Sequence, residues 1–269
     1  MCRLFAVTGK GPIRVNNVVR DFYKGSYIHR HGWGYADFTG GKDIIKKEAE
    51  PAYDSEYLDS LLATPFYVQN AIFHIRYATV GEVEPENAHP LSATDLTGKS
   101  WHVIHNGTIF DFDGLNEFFY RQSGSTDTER LLLYIVDRID RKIAERKGAL
   151  SAADRFDVVE RALKAMADGN KLNIILYDGE LLYVHANSRN GSRMLGDAGK
   201  NDFLYESEEG GTRYFSTAPL DRRNWIPVRL NTVMAYRDGE KVFEGSSHED
   251  EYFETDEDIR QMYRGFSAL

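Results

Sequence analysis

The chain has 269 residues, 42% hydrophobic and 13% aromatic, enough apolar side chain for one large core or two small ones. A formal net charge of −9 offers no basic face for a phosphate backbone and argues against a nucleic-acid partner. One cysteine excludes an internal disulfide framework, the opening MCRLFAVTGKGPIRV lacks a signal-peptide pattern, and no run reaches the roughly 18 to 20 apolar residues of a membrane span, so a cytoplasmic protein with no membrane partner is expected.

In chain order, residues 3–9 read as a short buried strand ended by glycines, and 31–38 as a second strand with a hairpin turn over 37–43. Residues 54–64 read as a short helix with Asp54 or Ser55 as N-cap. Residues 66–79 are β-branched and aromatic and predict a strand, whereas 80–93 have no periodicity and predict a loop. Residues 99–112 predict a strand that runs into a turn at Asn106-Gly107. The helical spacing of apolar residues over 127–148 predicts the longest helix; a second, N-capped by Ser151, covers 151–170. Two strands about an Asp-Gly turn follow over 171–187, strand texture continues through 213–219 and 232–245, and the acidic tail from Ser247 reads as a solvated terminal helix, with a contact arm as the alternative. No repeat, linker or domain boundary interrupts 1–269, so one domain is expected, with 247–269 peripheral. Strands, then helices, then strands make an α+β chain with layered sheets and helices outside.

Polar residues gather in four short clusters at strand ends and loops, where sites are commonly built: residues 76–81, 87–90, 105–107 and 126–129. Cys2 adds a fifth feature. Removal of Met1 would give its thiol a free α-amine, with a pKa near roughly 8, as a built-in base. Alone, Cys2 reads as a small buried hydrophobe. The planar fork of Arg76 suits a carboxylate, and Thr79 can add a hydroxyl to the same pocket. Asn106 and Gly107 are either a hairpin turn or a side-chain amide and a backbone N–H aimed at one oxyanion. Asp127 opens the long helix, where an acid also favours the helix dipole. His102 and His105 are three apart on a strand and face opposite sides, and His29 and His31 have no evident carboxylate or cysteine companion, so no metal is expected. No phosphate loop occurs, so no nucleotide cofactor is expected.

Taken together, Cys2, Arg76-Tyr77-Ala78-Thr79, Asn87-Ala88-His89-Pro90, His105-Asn106-Gly107 and Thr126-Asp127-Thr128-Glu129 resemble the glutaminase domain of class II glutamine amidotransferases, a branch of the N-terminal-nucleophile hydrolases. MCRLF, HGWGYADF and FSTAPLD look most like the stand-alone type, in which that domain is the whole chain. The resemblance implies a four-layer αββα sandwich of mostly antiparallel sheets. It implies Cys2 as nucleophile, Asn106 and Gly107 as oxyanion donors, Arg76 and Thr79 on the α-carboxylate of glutamine, Asp127 on its α-ammonium, and His89 as an organiser of the pocket. Two positions depart from the usual pattern: Val80 stands where a histidine often follows the threonine, and Thr126 replaces a serine. The implied activity is hydrolysis of the γ-amide of glutamine or a γ-glutamyl amide through a Cys2 thioester. The alternatives are a subunit that passes ammonia to a synthase partner chain, and a non-catalytic binding module.

Overall fold

The computed structural model describes residues 2–189, Arg193 and residues 203–266; Met1 and residues 267–269 of the acidic tail lie outside the described residues. The strands, in chain order, are β1 (Arg3–Arg14), β2 (Trp33–Asp37), β3 (Ile44–Glu48), β4 (Tyr67–Ile75), β5 (Leu91–Thr94), β6 (Ser100–Thr108), β7 (Lys171–Tyr177), β8 (Leu182–His185), β9 (Tyr205–Glu209), β10 (Thr212–Ser216), β11 (Ile226–Pro227), β12 (Met234–Arg237) and β13 (Glu240–Glu244). The helices are α1 (Asn16–Tyr23), α2 (Glu56–Ala63), α3 (Asp127–Arg146), α4 (Ala152–Ala167) and α5 (Asp256–Phe266).

Two antiparallel sheets face each other. One has the order β11-β9-β10-β1-β4-β2-β3 and the other β13-β12-β8-β7-β6-β5. Strand alternation sorts the side chains into three cores. Leu4, Ala6, Ile72, Ile104 and Ile175 fill the space between the sheets. Phe5, Val7 and Phe73 point the other way and meet Val19 and Phe22 of α1 and Leu58 and Leu62 of α2. Trp101 and Val103 meet Leu132 and Ile135 of α3 and Leu163 of α4. The layers are therefore αββα.

Local chemistry explains the helix starts. Ser55 caps α2 by accepting from Leu58 N–H, so Ser55 rather than Asp54 is the N-cap. Thr126 caps α3 through Glu129 N–H. Ser151 and Asp154 form a reciprocal capping box at α4. The sequence pattern does not single out α1, whose eight residues carry two adjacent valines.

Four expectations change. β1 does not end at Gly9 but runs to Arg14, with a register shift between Thr8 and Ile13 that absorbs its glycines. Residues 91–93, expected in a loop, belong to β5 because residues 91–94 pair with residues 100–103 at the sheet edge. Asn106 and Gly107 are not a turn: they lie inside β6, opposite Asn173 and Leu172 of β7. The tail from Ser247 does form a helix but is not simply solvated. Tyr252 and Met262 are buried, Tyr252 N–H donates to Asn187 O at 2.7 Å, and His248 Nε2 lies 3.0 Å from His185 Nε2. No helix among the described residues is long and apolar enough to cross a membrane.

Candidate active site

Cys2 immediately precedes β1. Leu4 N–H donates to Thr217 Oγ1 at 3.2 Å, and Thr217 N–H donates to Leu4 O at 3.0 Å. On the other side Arg3 and Leu4 pair with Ile75 and His74 of β4. The strand start is thus gripped from both edges. Leu4 and Ala6 point between the sheets, and the period of two carries Cys2 to that same side. The Cys2 thiol donates to Tyr77 O at 3.6 Å. Burial pushes this thiol above its ordinary value, while the charge of Arg76 opposes that shift.

Arg76 follows β4 and is 3% exposed. Its guanidinium donates to three main-chain carbonyls: Glu82 at 2.7 Å, Gly81 at 2.9 Å and Val80 at 3.0 Å. Gly81 has φ 77°, a conformation that favours glycine, and a Cβ there would lie 2.9 Å from Ser125 Oγ. Asn87 ties this loop to the next. Its Nδ2 donates to Glu82 O at 3.0 Å and to Ser125 Oγ at 2.9 Å, and its Oδ1 accepts from Ser125 N–H at 2.8 Å. Arg76 and Asn87 together therefore hold the 80–87 loop against the approach to α3.

β6 carries the next three residues. His105 Nδ1 pairs with Thr128 Oγ1 at 3.0 Å and its Nε2 with Lys171 O at 2.9 Å. His89 Nδ1 accepts from His105 N–H at 3.3 Å, and its ring centroid lies 4.2 Å from that of His74. Burial lowers the pKa of all three histidines, that of His74 to about 3, so they are neutral at pH 7. They act as hydrogen-bonding struts rather than charges. Asn106 is fully buried, and neither its Oδ1 nor its Nδ2 has a hydrogen-bond partner among the described residues. A Cβ on Gly107 would stand 1.8 Å from Lys171 O and 2.2 Å from His105 Nε2, so only glycine fits.

Asp127 is the first residue of α3 and is 5% exposed. Its Oδ2 accepts from Ile109 N–H at 2.8 Å and its Oδ1 from Thr128 N–H at 2.8 Å. Helix start and site acid are thus one residue. Thr79 Oγ1 lies 3.0 Å from Thr108 Oγ1.

Cys2, Arg76, Thr79, His89, Gly107 and Asp127 line one cavity of about 20 Å³, room for roughly one water. Asn106 does not line it, but adjoins Gly107 on β6. The six come from the ends of β1, β4 and β6, the loop before β5 and the start of α3, which are distant in sequence. Sequence reasoning passed over His74, Thr108, Ser125, Tyr77 and Thr128. Of these Tyr77 and Thr128 fell within motifs, though Tyr77 contributes only its main-chain carbonyl; Thr108 and Ser125 act through single hydroxyls and His74 through one ring nitrogen, which leave no pattern. His31, weighed earlier as a metal ligand, accepts from Ala78 N–H at 2.9 Å and stacks on Tyr77; His102 contacts Ser92 and Asp43.

Residues 1–196 match the family model described as glutamine amidotransferases class-II. A Haemophilus influenzae protein named "Putative glutamine amidotransferase" is 25% identical over 259 residues, covering 91% of this chain and 87% of that protein. Among solved structures, a glutamine aminotransferase class-II domain protein from Silicibacter pomeroyi superposes with a TM-score of 0.55 at 17% identity, covering 90% of this chain and 98% of that one. The glutamine phosphoribosylpyrophosphate amidotransferase of B. subtilis superposes with a TM-score of 0.64 at 17% identity, covering 90% of this chain but only 48% of that one. At these identities the superpositions speak to the fold, which is the N-terminal-nucleophile-hydrolase sandwich.

Proposed function

Given that this chain belongs to the class II glutamine amidotransferases, we propose that it hydrolyses the γ-amide of glutamine or a γ-glutamyl amide through a thioester on Cys2. The observation that carries this reading is the convergence of Cys2 with Arg76, Asp127 and Gly107 on one small cavity, a nucleophile beside a cation, an anion and an oxyanion donor.

Cleavage after Met1 frees the Cys2 amine. That amine takes the thiol proton, which the raised thiol pKa makes necessary. The thiolate attacks the γ-carbonyl carbon. The oxyanion that forms is held by the Asn106 side-chain amide and Gly107 N–H; the unpartnered Asn106 Nδ2 is a donor in reserve for it. The C–N bond then breaks and the departing nitrogen takes the proton from the amine. Water attacks the thioester, the amine receives its proton, and glutamate leaves with the thiol restored. Asp127 holds the α-ammonium, Arg76 and Thr79 meet the α-carboxyl end, and His89 braces β6 through His105.

The test is glutamate release from glutamine by Met1-free protein, with Cys2→Ala alongside. Equal rates for the two forms, or full activity in protein shown by mass to retain Met1, would overturn the reading.

A further inference from the structure

A second and much larger cavity, about 480 Å³, lies next to the first and under α5. That volume is in the range of about 300–1,000 Å³ typical of whole small-molecule sites. Thr79 and Val80 line both spaces. Ile109, whose N–H holds Asp127, lines the larger one. On the reading above, these residues surround the amino-acid head of the substrate, so the large cavity lies beyond that head, on its carboxyl side.

We propose that this cavity is a second subsite, and that the substrate is a glutamine whose α-carboxyl group is joined to an apolar extension ending in a carboxylate, the shortest case being a dipeptide with N-terminal glutamine. The proposal rests on the assignment of Cys2 and Asp127 made above and adds to it what lies past the head group.

Three features support it. Arg76 has already given donors to the carbonyls of Val80, Gly81 and Glu82, which leaves two of its five N–H groups. That remainder is enough for a peptide carbonyl oxygen, which has two lone pairs to accept with. The walls are apolar where Val80, Ile109, Phe110 and Met262 line the cavity, and Val80 stands where the resemblance leads one to expect a histidine. Arg264 lines the cavity from α5, and its side chain makes no hydrogen bond or ion pair among the described residues. Glu82 supplies a carboxylate on the loop side. The two charges set the direction of the extension: its carboxylate lies toward α5 and away from Glu82. A free glutamine would leave both the apolar walls and Arg264 unused.

The chemistry is unchanged. The γ-amide C–N bond is the bond that breaks, water supplies the oxygen, ammonia leaves, and the peptide bond of the extension stays intact.

The experiment uses Met1-free protein and four probes: L-glutamine, Gln-Phe, Gln-Phe with an amidated C-terminus, and γ-glutamyl-3-carboxy-4-nitroanilide. Conversion of glutaminyl to glutamyl is followed by mass, and anilide cleavage by absorbance. The expected result is a kcat/KM for Gln-Phe at least about tenfold above that for glutamine, with most of the preference lost on amidation. Arg264→Ala should bring the ratio of Gln-Phe to its amide near one, and Arg264→Glu should invert it. The inference is overturned if glutamine matches Gln-Phe, if the anilide is preferred to the dipeptide, or if the ratio ignores both Arg264 variants. Absence of Cys2-dependent turnover with all four probes would instead overturn the assignment of the nucleophile on which the inference rests.

Discussion

Asn106 on β6 and Asn173 on β7 stand directly opposite each other, both fully buried, and the Nδ2 of each lacks a partner among the described residues. Directly paired residues share a face of the sheet, so two side-chain amides with unsatisfied Nδ2 groups lie side by side between the layers. Asn173 is oriented by its Oδ1, which accepts from Asn187 N–H at 3.2 Å and Ser188 N–H at 3.4 Å. Asn106 has no such tether. Unpaired buried amides are costly to keep, and a donor kept free of partners is what an oxyanion site requires.

Asn106→Ala should therefore separate activity from stability. Turnover of glutamine falls by about a hundred- to thousand-fold, while the melting temperature changes little because no hydrogen bond is lost. Steady-state kinetics and calorimetry on one preparation check both halves.

Gly107→Ala should behave in the opposite way. Its Cβ has to displace Lys171 O, so β6 and β7 must part. The cost is expected at the upper end of about 1–3 kcal/mol for overpacking, read as a loss of thermal stability along with activity.

Arg76→Lys keeps the charge but not the reach to three carbonyls. KM for glutamine should rise about tenfold, equivalent to about 1.4 kcal/mol. Amide hydrogens of residues 80–82 should exchange faster than in the parent protein.

Arg155 of α4 donates to Asp178 Oδ2 at 2.6 Å, and both are buried; Asp178 also accepts from Tyr183 at 2.8 Å. Asp178→Ala leaves Arg155 with Glu180 as its remaining carboxylate partner and takes the acceptor from Tyr183, so it should cost less than the about 3–5 kcal/mol of a wholly uncompensated buried charge. Denaturant unfolding measures this, with no selective change in KM because neither residue lines the cavity at Cys2.

Acid should weaken the fold before it titrates the carboxylates. His74 and His185 are buried with pKa lowered to about 3, against about 6.5 unfolded. Between those values the unfolded chain binds more protons than the folded one. Stability is therefore complete above pH 6.5 and is lost as pH falls toward 3, by about 1.4 kcal/mol per unit for each histidine. Melting temperatures from pH 7 to pH 4.5 should fall, and less steeply in His185→Asn.

The motifs and the helix caps were legible in the sequence because both are local. Ser55, Thr126 and Ser151 bond residues three positions on, and periodicity marks α3 and α4. Cys2, Arg76, Asn106-Gly107 and Asp127 could be singled out by residue type and family pattern, and six of the seven candidate residues, all but Asn106, line the cavity. Other features needed the third dimension. An Asn-Gly pair has the same local preference in a turn or a strand, and pairing of β6 with β7 decided for the strand. Nothing near Arg76 in the chain says that its donors go to its own loop. Nor could composition bring Met262 and Arg264 to a cavity walled by Thr79 and Ile109, since that contact joins chain segments more than 150 residues apart. Local hydrogen bonds and periodicity are written in adjacent residues; closure of a cavity is a property of which distant segments bury their apolar faces together, and only the packed sheets and helices decide that.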